Sequence, residues 1–300
     1  CSTTETTEKA GYFEMGPNDH GENARRDMVL TLEDMGFEIE ASHHEASPGQ
    51  HEIDFRYEPA LHAADNIMTF KLAVKTIAKR HGMHATFMPK PKSGVSGSGM
   101  HINMSLRKDG RNIFADETDR FGLSQDAYYF IGGLMKHVYS MTAITNPLVN
   151  SYKRLVSGFE APLHIAWSVT NRSPLIRIPS SFGSGTRIEL RSPDSAANPY
   201  LTIALCLAAG LDGIKNKITP PENIQKNIFH MTEQEKEQLH IKSLPTNLYD
   251  AVCAMERDAF IREILGEHIS NVYIGSKKDE WDRYCKTVTE WEVDTYLDKF

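Results

Sequence analysis

Apolar residues recur at helical spacing along much of the chain. In 60–80, Ile67, Phe70, Val74 and Ile77 share one face, which predicts a helix that packs on a core. The same spacing, with capping residues and prolines at the ends, predicts further helices at 22–35, 124–142, 198–217, 248–257 and 259–265, and a last helix ending at Phe300.

Shorter apolar stretches bounded by turn residues predict strands. They lie at 37–44, 50–56, 84–89, 99–106, near Ile113, and at 164–170, 175–178 and 187–191. Strands and helices do not alternate as in a doubly wound parallel sheet. We therefore predict one α+β domain over 1–300, an antiparallel β-sheet flanked by helices, whose part at 220–300 is a helical C-terminal tail.

Composition excludes several classes of protein. The 300 residues are 40% hydrophobic and 24% charged, and the net charge of −7 argues against a nucleic-acid surface. No apolar run approaches the length of a membrane span. The four cysteines are scattered without metal-binding spacing, which predicts reduced thiols in a cytoplasmic protein.

Carboxylates and histidines are concentrated at 40–54. A turn at 47–49 would bring Glu45 and Glu52 together, and Glu40 is close enough to reach the same cavity. Two adjacent carboxylates repel each other unless a cation lies between them, and oxygen ligands suit Mg²⁺ or Mn²⁺. On these residues alone, a metal site and a solvated charged hairpin are equally supported.

The segment 96–105 combines glycines with polar residues. Gly97 and Gly99 let backbone amides approach an anionic ligand. His101 is suited to bind a metal, and Asn103 and Ser105 share its side of a strand. The alternative is a flexible loop followed by a core histidine.

Two further segments suggest an anionic ligand. In 146–162, Lys153 and Arg154 are suited to clamp an anion, and 157–160 resembles a mobile flap that carries Glu160. The second segment is arginine-rich, and a self-neutralising surface ladder is the common explanation for such a pattern. In an acidic protein it also predicts a polyanion site such as one for a triphosphate, formed by Arg172, Arg177, Arg187, Glu189 and Arg191.

Together these motifs resemble the catalytic domain of class I glutamine synthetase. The matching stretches occur in the family's order, and the tail after 220 matches more loosely. They are 40–52, 97–105, 146–162, 171–179 and 187–199.

The resemblance implies roles for individual residues. Metal ions would be held by Glu45, Glu52, His101 and Glu189. L-Glutamate would be held by Gly97, Arg154, Glu160 and Arg191. ATP would be bound by Glu40, Asn103, Ser105, Arg172 and Arg177, and the catalytic residues would be Glu160 and Arg172.

The resemblance also implies the reaction and its partners. L-Glutamate, ammonia and ATP would give glutamine, ADP and phosphate through γ-glutamyl phosphate, with two or more Mg²⁺ or Mn²⁺ ions per site. The family forms rings, so a homo-oligomer is expected, dodecameric for the full-length protein, without a nucleic-acid or membrane partner.

The chain departs from the family pattern at several positions. Ser96 replaces an asparagine, Phe159 replaces a tyrosine, and 181–185 lacks a lysine that some members have near ATP. Phe229 stands where adenylylated members have tyrosine, so that regulation is not expected.

The family's N-terminal β-grasp domain and first catalytic strands, with two more metal glutamates and an ammonium-binding aspartate, have no counterpart here. We therefore expect a truncated chain that is inactive alone. The alternatives are a γ-glutamyl-amine (polyamine) ligase of the same family, a catalytically inactive structural relative, and a metal hydrolase.

Overall fold

The computed structural model describes residues 3–6, 8–159, 161–169, 171 and 173–300. The helices are α1 Glu22–Asp34, α2 Ala60–Arg80, α3 Gln125–Thr145, α4 Ser151–Arg154, α5 Pro199–Lys215, α6 Glu233–Gln238, α7 Leu248–Arg257, α8 Ala259–Leu265, α9 Glu267–Cys285 and α10 Glu290–Tyr296. The strands are β1 Ile39–His44, β2 His51–Phe55, β3 Ile102–Met104, β4 Arg107–Lys108, β5 Arg111–Asn112, β6 His164–Ile165, β7 Trp167–Ser168, β8 Ile176–Arg177, β9 Ile188–Leu190 and β10 Lys242–Ser243.

Capping residues explain where the long helices begin. Ser124 accepts a hydrogen bond from the Ala127 N–H at the start of α3, and Asn198 caps α5, whose first residue is a proline. The helix predicted to end at Phe300 corresponds to α10, which ends at Tyr296. Thr289 and Glu292 form a capping box there, so α10 begins separately after α9 has ended.

The central sheet has the strand order β3-β9-β8-β7. β3 and β8 both pair antiparallel with β9, whereas β7 and β8 are parallel, which the sequence did not predict. The α+β class is confirmed. The strand predicted at 84–89 is absent from the described structure, because its carbonyl groups bond elsewhere: Phe87 O to the Ser195 hydroxyl, and Pro89 O to the Ser98 N–H.

The main core lies between the sheet and the helices α3, α5 and α7. Ile176, Ile188 and Leu190 of the sheet are fully buried in it. The helices α3 and α5 approach each other closely at Gly133. A Cβ at this position would lie 2.1 Å from Ala209 O, so only glycine permits the contact. These packed helices form a rigid support for β9 and its functional side chains.

A second, smaller core supports the predicted carboxylate hairpin. Met28 of α1 packs with Val74 and Ile77 of α2, and Ile53 of β2 packs against the same cluster. The hairpin is therefore anchored on its apolar side, and its polar side is available for ligands.

None of the helices in the described part of the chain has both the length and the apolar character needed to cross a membrane. Within the same part of the chain, Cys206, Cys253 and Cys285 are free thiols.

Candidate active site

The β1–β2 hairpin brings Glu45 and Glu52 together with His43. His43 lies opposite Glu52 in the antiparallel register, and the Glu45 N–H donates to Gln50 O at 2.8 Å. His43 Nε2 is 3.3 Å from Glu45 Oε1 and 3.8 Å from Glu52 Oε2. The ligand atoms of all three side chains lie within 4.8 Å of one another, as a shared cation would require.

The two carboxylates have opposite pKa shifts. Desolvation, followed by the neighbouring Glu45 and Asp54, raises the pKa of Glu52 to about 9. Burial opposes ionisation of Glu45, but hydrogen bonds from Glu52, the Ala46 N–H and His43 outweigh it and lower the Glu45 pKa. The pair of carboxyl groups therefore carries one proton at neutral pH.

Sequence reasoning missed His43. The residue is 9% exposed, and the ring of Phe13 stacks on it with centroids 4.3 Å apart. Phe13 has a φ of 56° and its N–H donates to His44 O, so the aromatic contact is fixed by the backbone. The signal in the sequence was the spacing of two between His43 and Glu45, which places both side chains on one side of an extended segment.

The opposite side of the hairpin is held by a buried ion pair. His44 Nε2 lies 2.9 Å from Glu8 Oε1, and His44 Nδ1 lies 2.6 Å from Glu45 O. Burial opposes both charges, but their mutual hydrogen bond raises the pKa of His44 and lowers that of Glu8. This contact fixes the backbone of Glu45.

Asp19, His44 and His51 form a second group of potential metal ligands. The Arg25 guanidinium lies 2.7 Å from Asp19 Oδ2 and 2.7 Å from His51 Nδ1. Because this side chain already supplies the positive charge, we assign no metal there.

The glycine-rich segment lies against the hairpin turn. The Ser47 hydroxyl donates to Ser96 O at 3.0 Å, and Gln50 Nε2 donates to Gly97 O at 3.1 Å. A Cβ on Gly97 would lie 2.3 Å from Pro89 O and 3.1 Å from Arg154 Cγ. Only glycine fits at position 97. The two hydrogen bonds hold the glycine-rich segment beside the hairpin, so the two segments predicted to bind ligands are neighbours.

Arg154 is 3% exposed and lies beneath this segment. Its guanidinium donates to Ser192 O at 2.7 Å and to Arg191 O at 3.3 Å. Burial lowers its pKa to about 10, although the buried Asp194 favours the charged form. Arg154 is therefore a fixed positive charge between the glycine-rich segment and the chain that follows β9.

Glu189 is the central residue of the sheet's polar side. It pairs with Asn103 of β3 on one side and with Arg177 of β8 on the other. Its Oε1 lies 3.2 Å from His101 Nδ1, and Arg177 Nε forms an ion pair with its Oε2. Burial opposes its ionisation, but His101, Arg177 and Arg191 lower its pKa, so it is a carboxylate at neutral pH.

His101 carries no charge at neutral pH. Desolvation and the nearby Arg191 and Arg154 lower its pKa, and only Glu189 opposes this. The side chain remains 36% exposed, so a neutral ring nitrogen is accessible for a metal.

The predicted alternation along β3 is present. His101, Asn103 and Ser105 are exposed whereas Ile102 is buried, and Asn103 Oδ1 accepts a hydrogen bond from Arg187 Nε at 3.2 Å. Glu40 lies at an irregularity in the β1–β2 register, and its side chain makes no hydrogen bond or ion pair with another described residue.

Of the other predicted site residues, Arg191 is 4% exposed and adjoins β9. Glu160 and Arg172 lie outside the described residues. The structure thus brings Glu45 together with Glu52. It also brings His101 and Arg177 together on Glu189. The glycine-rich segment connects the first of these groups to Arg154.

Comparison with known proteins decides the family. Residues 1–296 match the family described as glutamine synthetase, catalytic domain. The chain belongs to the glutamine synthetase family. A glutamine synthetase of Clostridium saccharobutylicum is 59% identical over 299 residues, which are 100% of this chain and 68% of that protein.

Two solved structures of GmaS have the same fold as this chain. GmaS without ligand superposes with a TM-score of 0.88 at 36% identity, and the GmaS complex with ADP with a TM-score of 0.86 at 37% identity. Each comparison covers 98% of this chain and 68% of the GmaS chain. Roughly the remaining third of each relative has no counterpart in the 300 residues.

The donor atoms of this site suit a hard divalent cation. Adjacent ligands of an octahedral ion with bonds of about 2.1 Å are about 3 Å apart. The His101–Glu189 separation of 3.2 Å and the His43–Glu45 separation of 3.3 Å are close to that spacing. Carboxylate oxygens are ligands that Mg²⁺ and Mn²⁺ prefer. Because Glu45, Glu52 and Glu189 supply such oxygens, the residues fit the metals of the family.

Proposed function

We propose that this chain supplies the metal-, nucleotide- and glutamate-binding groups of an enzyme that ligates ammonia to L-glutamate at the expense of ATP. One observation carries the proposal. Glu189, on the strand that precedes Arg191, lies 3.2 Å from His101 and forms an ion pair with Arg177. The 59% identity to a named glutamine synthetase supports the same conclusion.

Glu45 and Glu52 would hold one divalent ion, and His101 and Glu189 another. When bound, these ions neutralise negative charge on the phosphates and on the glutamate side chain. Before a metal ion binds, Arg177 helps to keep Glu189 ionised, and His44 fixes the backbone of Glu45. The protein thus orients its carboxylates in advance.

The exposed side of β3 is our proposed ATP site. Asn103 and Ser105 project from it, Arg177 is one strand away from Glu189, and Glu40 and Arg172 would complete the set. The likeness to GmaS solved with ADP supports a nucleotide at this fold. Gly97, Arg154 and Arg191 would bind the glutamate carboxylates, since Arg154 is a buried cation against the backbone of Gly97.

The family resemblance implies the following reaction. A side-chain carboxylate oxygen of glutamate attacks the γ-phosphorus of ATP, and ADP leaves. Arginines, with Arg172 among them, stabilise charge on the transferring group. Ammonia then attacks the carbonyl carbon of γ-glutamyl phosphate and phosphate leaves. Glu160, carried by the flap, would shield this acyl phosphate from water.

We further propose that the 300 residues form one catalytic domain and are inactive by themselves. The chain matches 68% of the C. saccharobutylicum protein, and the family resemblance assigns the missing metal and ammonium ligands to the unmatched part. In the complete protein, a homo-oligomer of the family's dodecameric kind would bring subunits together at each site.

The first test restores the unmatched part from the C. saccharobutylicum enzyme as a chimera with this chain. We expect ammonia-dependent release of phosphate and formation of glutamine by the chimera, and none by the chain alone. The Glu189→Gln chimera is the matched control. A folded chimera that releases no phosphate with glutamate and ammonia would refute the proposal.

The second test addresses the amine, because the alternative is a ligase for larger amines. The complete gene product is assayed with ammonia, methylamine and putrescine at equal concentrations. Preference for ammonia supports glutamine synthesis. Preference for putrescine assigns the protein to the γ-glutamyl-amine ligases.

A further inference from the structure

Lys90 is a buried lysine in the loop between α2 and β3. It is 8% exposed. Its N–H donates to Asn150 Oδ1 at 2.8 Å, and its carbonyl accepts from Asn150 Nδ2 at 3.0 Å. These two bonds join the backbone of Lys90 to the residue before α4, the helix that contains Arg154.

The ammonium of Lys90 lies between a carbonyl and an aromatic ring. Nζ donates to Val95 O and is 3.7 Å from the centroid of the Phe159 ring. Among the described residues, no carboxylate lies within ion-pair distance of this ammonium. Burying a cation is costly, and the face of a ring is one of the few groups that offsets the cost without a counter-charge.

Phe159 belongs to the segment 157–159, which precedes Glu160 in the sequence. Ser157 and Gly158 are exposed, and Gly158 has a φ of 90°. Within the described residues, the contact with Lys90 is the polar anchor of this segment, since no side-chain hydrogen bond or ion pair joins it to the rest of the chain.

Lys90 also belongs to the loop that holds Gly97. The neighbouring Pro89 O accepts from the Ser98 N–H at 2.8 Å and is the atom that a Cβ on Gly97 would strike. One lysine therefore connects the proposed glutamate-binding loop with the segment before Glu160.

We propose that Lys90 is a positioning residue that holds 157–159 against the glycine-rich loop through its cation–π contact with Phe159. Its importance for catalysis rests on the proposed function, because Glu160 is assigned to the substrate only there. The contact itself is independent of that assignment. The ammonium contacts the face of the ring. Phenylalanine can therefore make this contact as well as tyrosine, the residue that is usual in the family.

The test is hydrogen–deuterium exchange of the 300-residue chain without substrates, so that an inactive enzyme does not affect it. We expect Lys90→Met and Phe159→Leu each to raise the exchange rate of the Leu155 and Val156 amides roughly five- to thirtyfold. These two amides directly precede the segment and donate to Ser151 O and Arg154 O. The double variant should exchange no faster than the faster single variant, because both changes remove the same contact.

Two controls separate positioning from a general loss of structure. Phe159→Tyr keeps the ring and should exchange within twofold of the wild type. Lys92→Met removes a nearby lysine whose Nζ donates instead to Thr6 Oγ1 at 2.8 Å, and it should leave the exchange of the Leu155 and Val156 amides unchanged. Phe159→Leu exchanging within twofold of the wild type, or wild-type amides already exchanging at the intrinsic rate, would overturn the proposal.

Discussion

Arg177 and Glu189 lie directly opposite each other on β8 and β9, and Arg177 Nε forms an ion pair with the buried Glu189 Oε2. The other oxygen of the same carboxylate is 3.2 Å from His101 Nδ1. One carboxylate thus connects an arginine proposed for the nucleotide with a histidine proposed for the metal. A change in any one of these groups is expected to affect the other two.

Arg177→Met should destabilise the fold. It leaves a carboxylate that is 4% exposed without its guanidinium partner, which we expect to lower the free energy of unfolding by about 1–3 kcal/mol. Urea unfolding followed by circular dichroism measures this. Arg111→Met, on the exposed strand β5, is the control and should change stability by less than about 0.5 kcal/mol. Equal unfolding midpoints for the two variants would contradict the role of the pair.

Metal binding at the hairpin should release a proton. Because the pKa of Glu52 is raised to about 9, this side chain holds a proton at pH 7 that a cation must displace. The affinity for Mn²⁺ should therefore rise with pH between 6.5 and 8, by up to about tenfold per pH unit. Calorimetry in buffers of different ionisation enthalpy counts the protons. Glu52→Gln should weaken binding and remove the slope; an affinity independent of pH in the wild type would show that this carboxylate is not a ligand.

Gly97→Ala should be poorly tolerated. The added Cβ would lie 2.3 Å from the backbone oxygen of Pro89, and such overpacking costs about 1–3 kcal/mol. Gly275→Ala in α9 is the control, since nothing lies within 4 Å of its Cβ, and helix propensity predicts a gain of up to about 1 kcal/mol. Thermal unfolding of both variants decides the question. A Gly97→Ala protein as stable as the wild type would mean that the loop is not held as described.

Ser47→Ala tests the connection between the hairpin turn and the glycine-rich loop. The Ser47 hydroxyl donates to Ser96 O, so its loss should loosen the turn between Glu45 and Glu52. Mn²⁺ affinity should fall by about tenfold, as for other residues that orient metal ligands. Ser42→Ala, exposed on the same hairpin, should bind Mn²⁺ normally. If both serine variants keep wild-type affinity, the turn does not depend on this bond.

Local patterns predicted most of the elements. The bounds of α2, α7 and α8 agree with the structure, and the alternation of His101, Asn103 and Ser105 was correctly read from a spacing of two. These features depend on side-chain periodicity and capping, which are local properties of the sequence.

Long-range pairing was beyond the sequence pattern. The parallel pair β7–β8 and the contact of Arg177 with Glu189 depend on which strands become neighbours in the folded chain. His43 was missed for a related reason, since its role is visible only once β2 places Glu52 opposite it and Phe13 packs on its ring. The roles assigned to the site residues remain predictions that rest on the family resemblance.

ATP binding with and without a divalent metal tests the central claim most directly. Calorimetric titration of the 300-residue chain with ATP is performed in Mn²⁺ and again in EDTA, for the wild type and for Glu189→Gln. If His101 and Glu189 hold a metal that contacts the nucleotide, the wild type should bind ATP at least about tenfold more tightly in Mn²⁺, and Glu189→Gln should lose that difference. Equal affinity of the wild type in Mn²⁺ and in EDTA would contradict it.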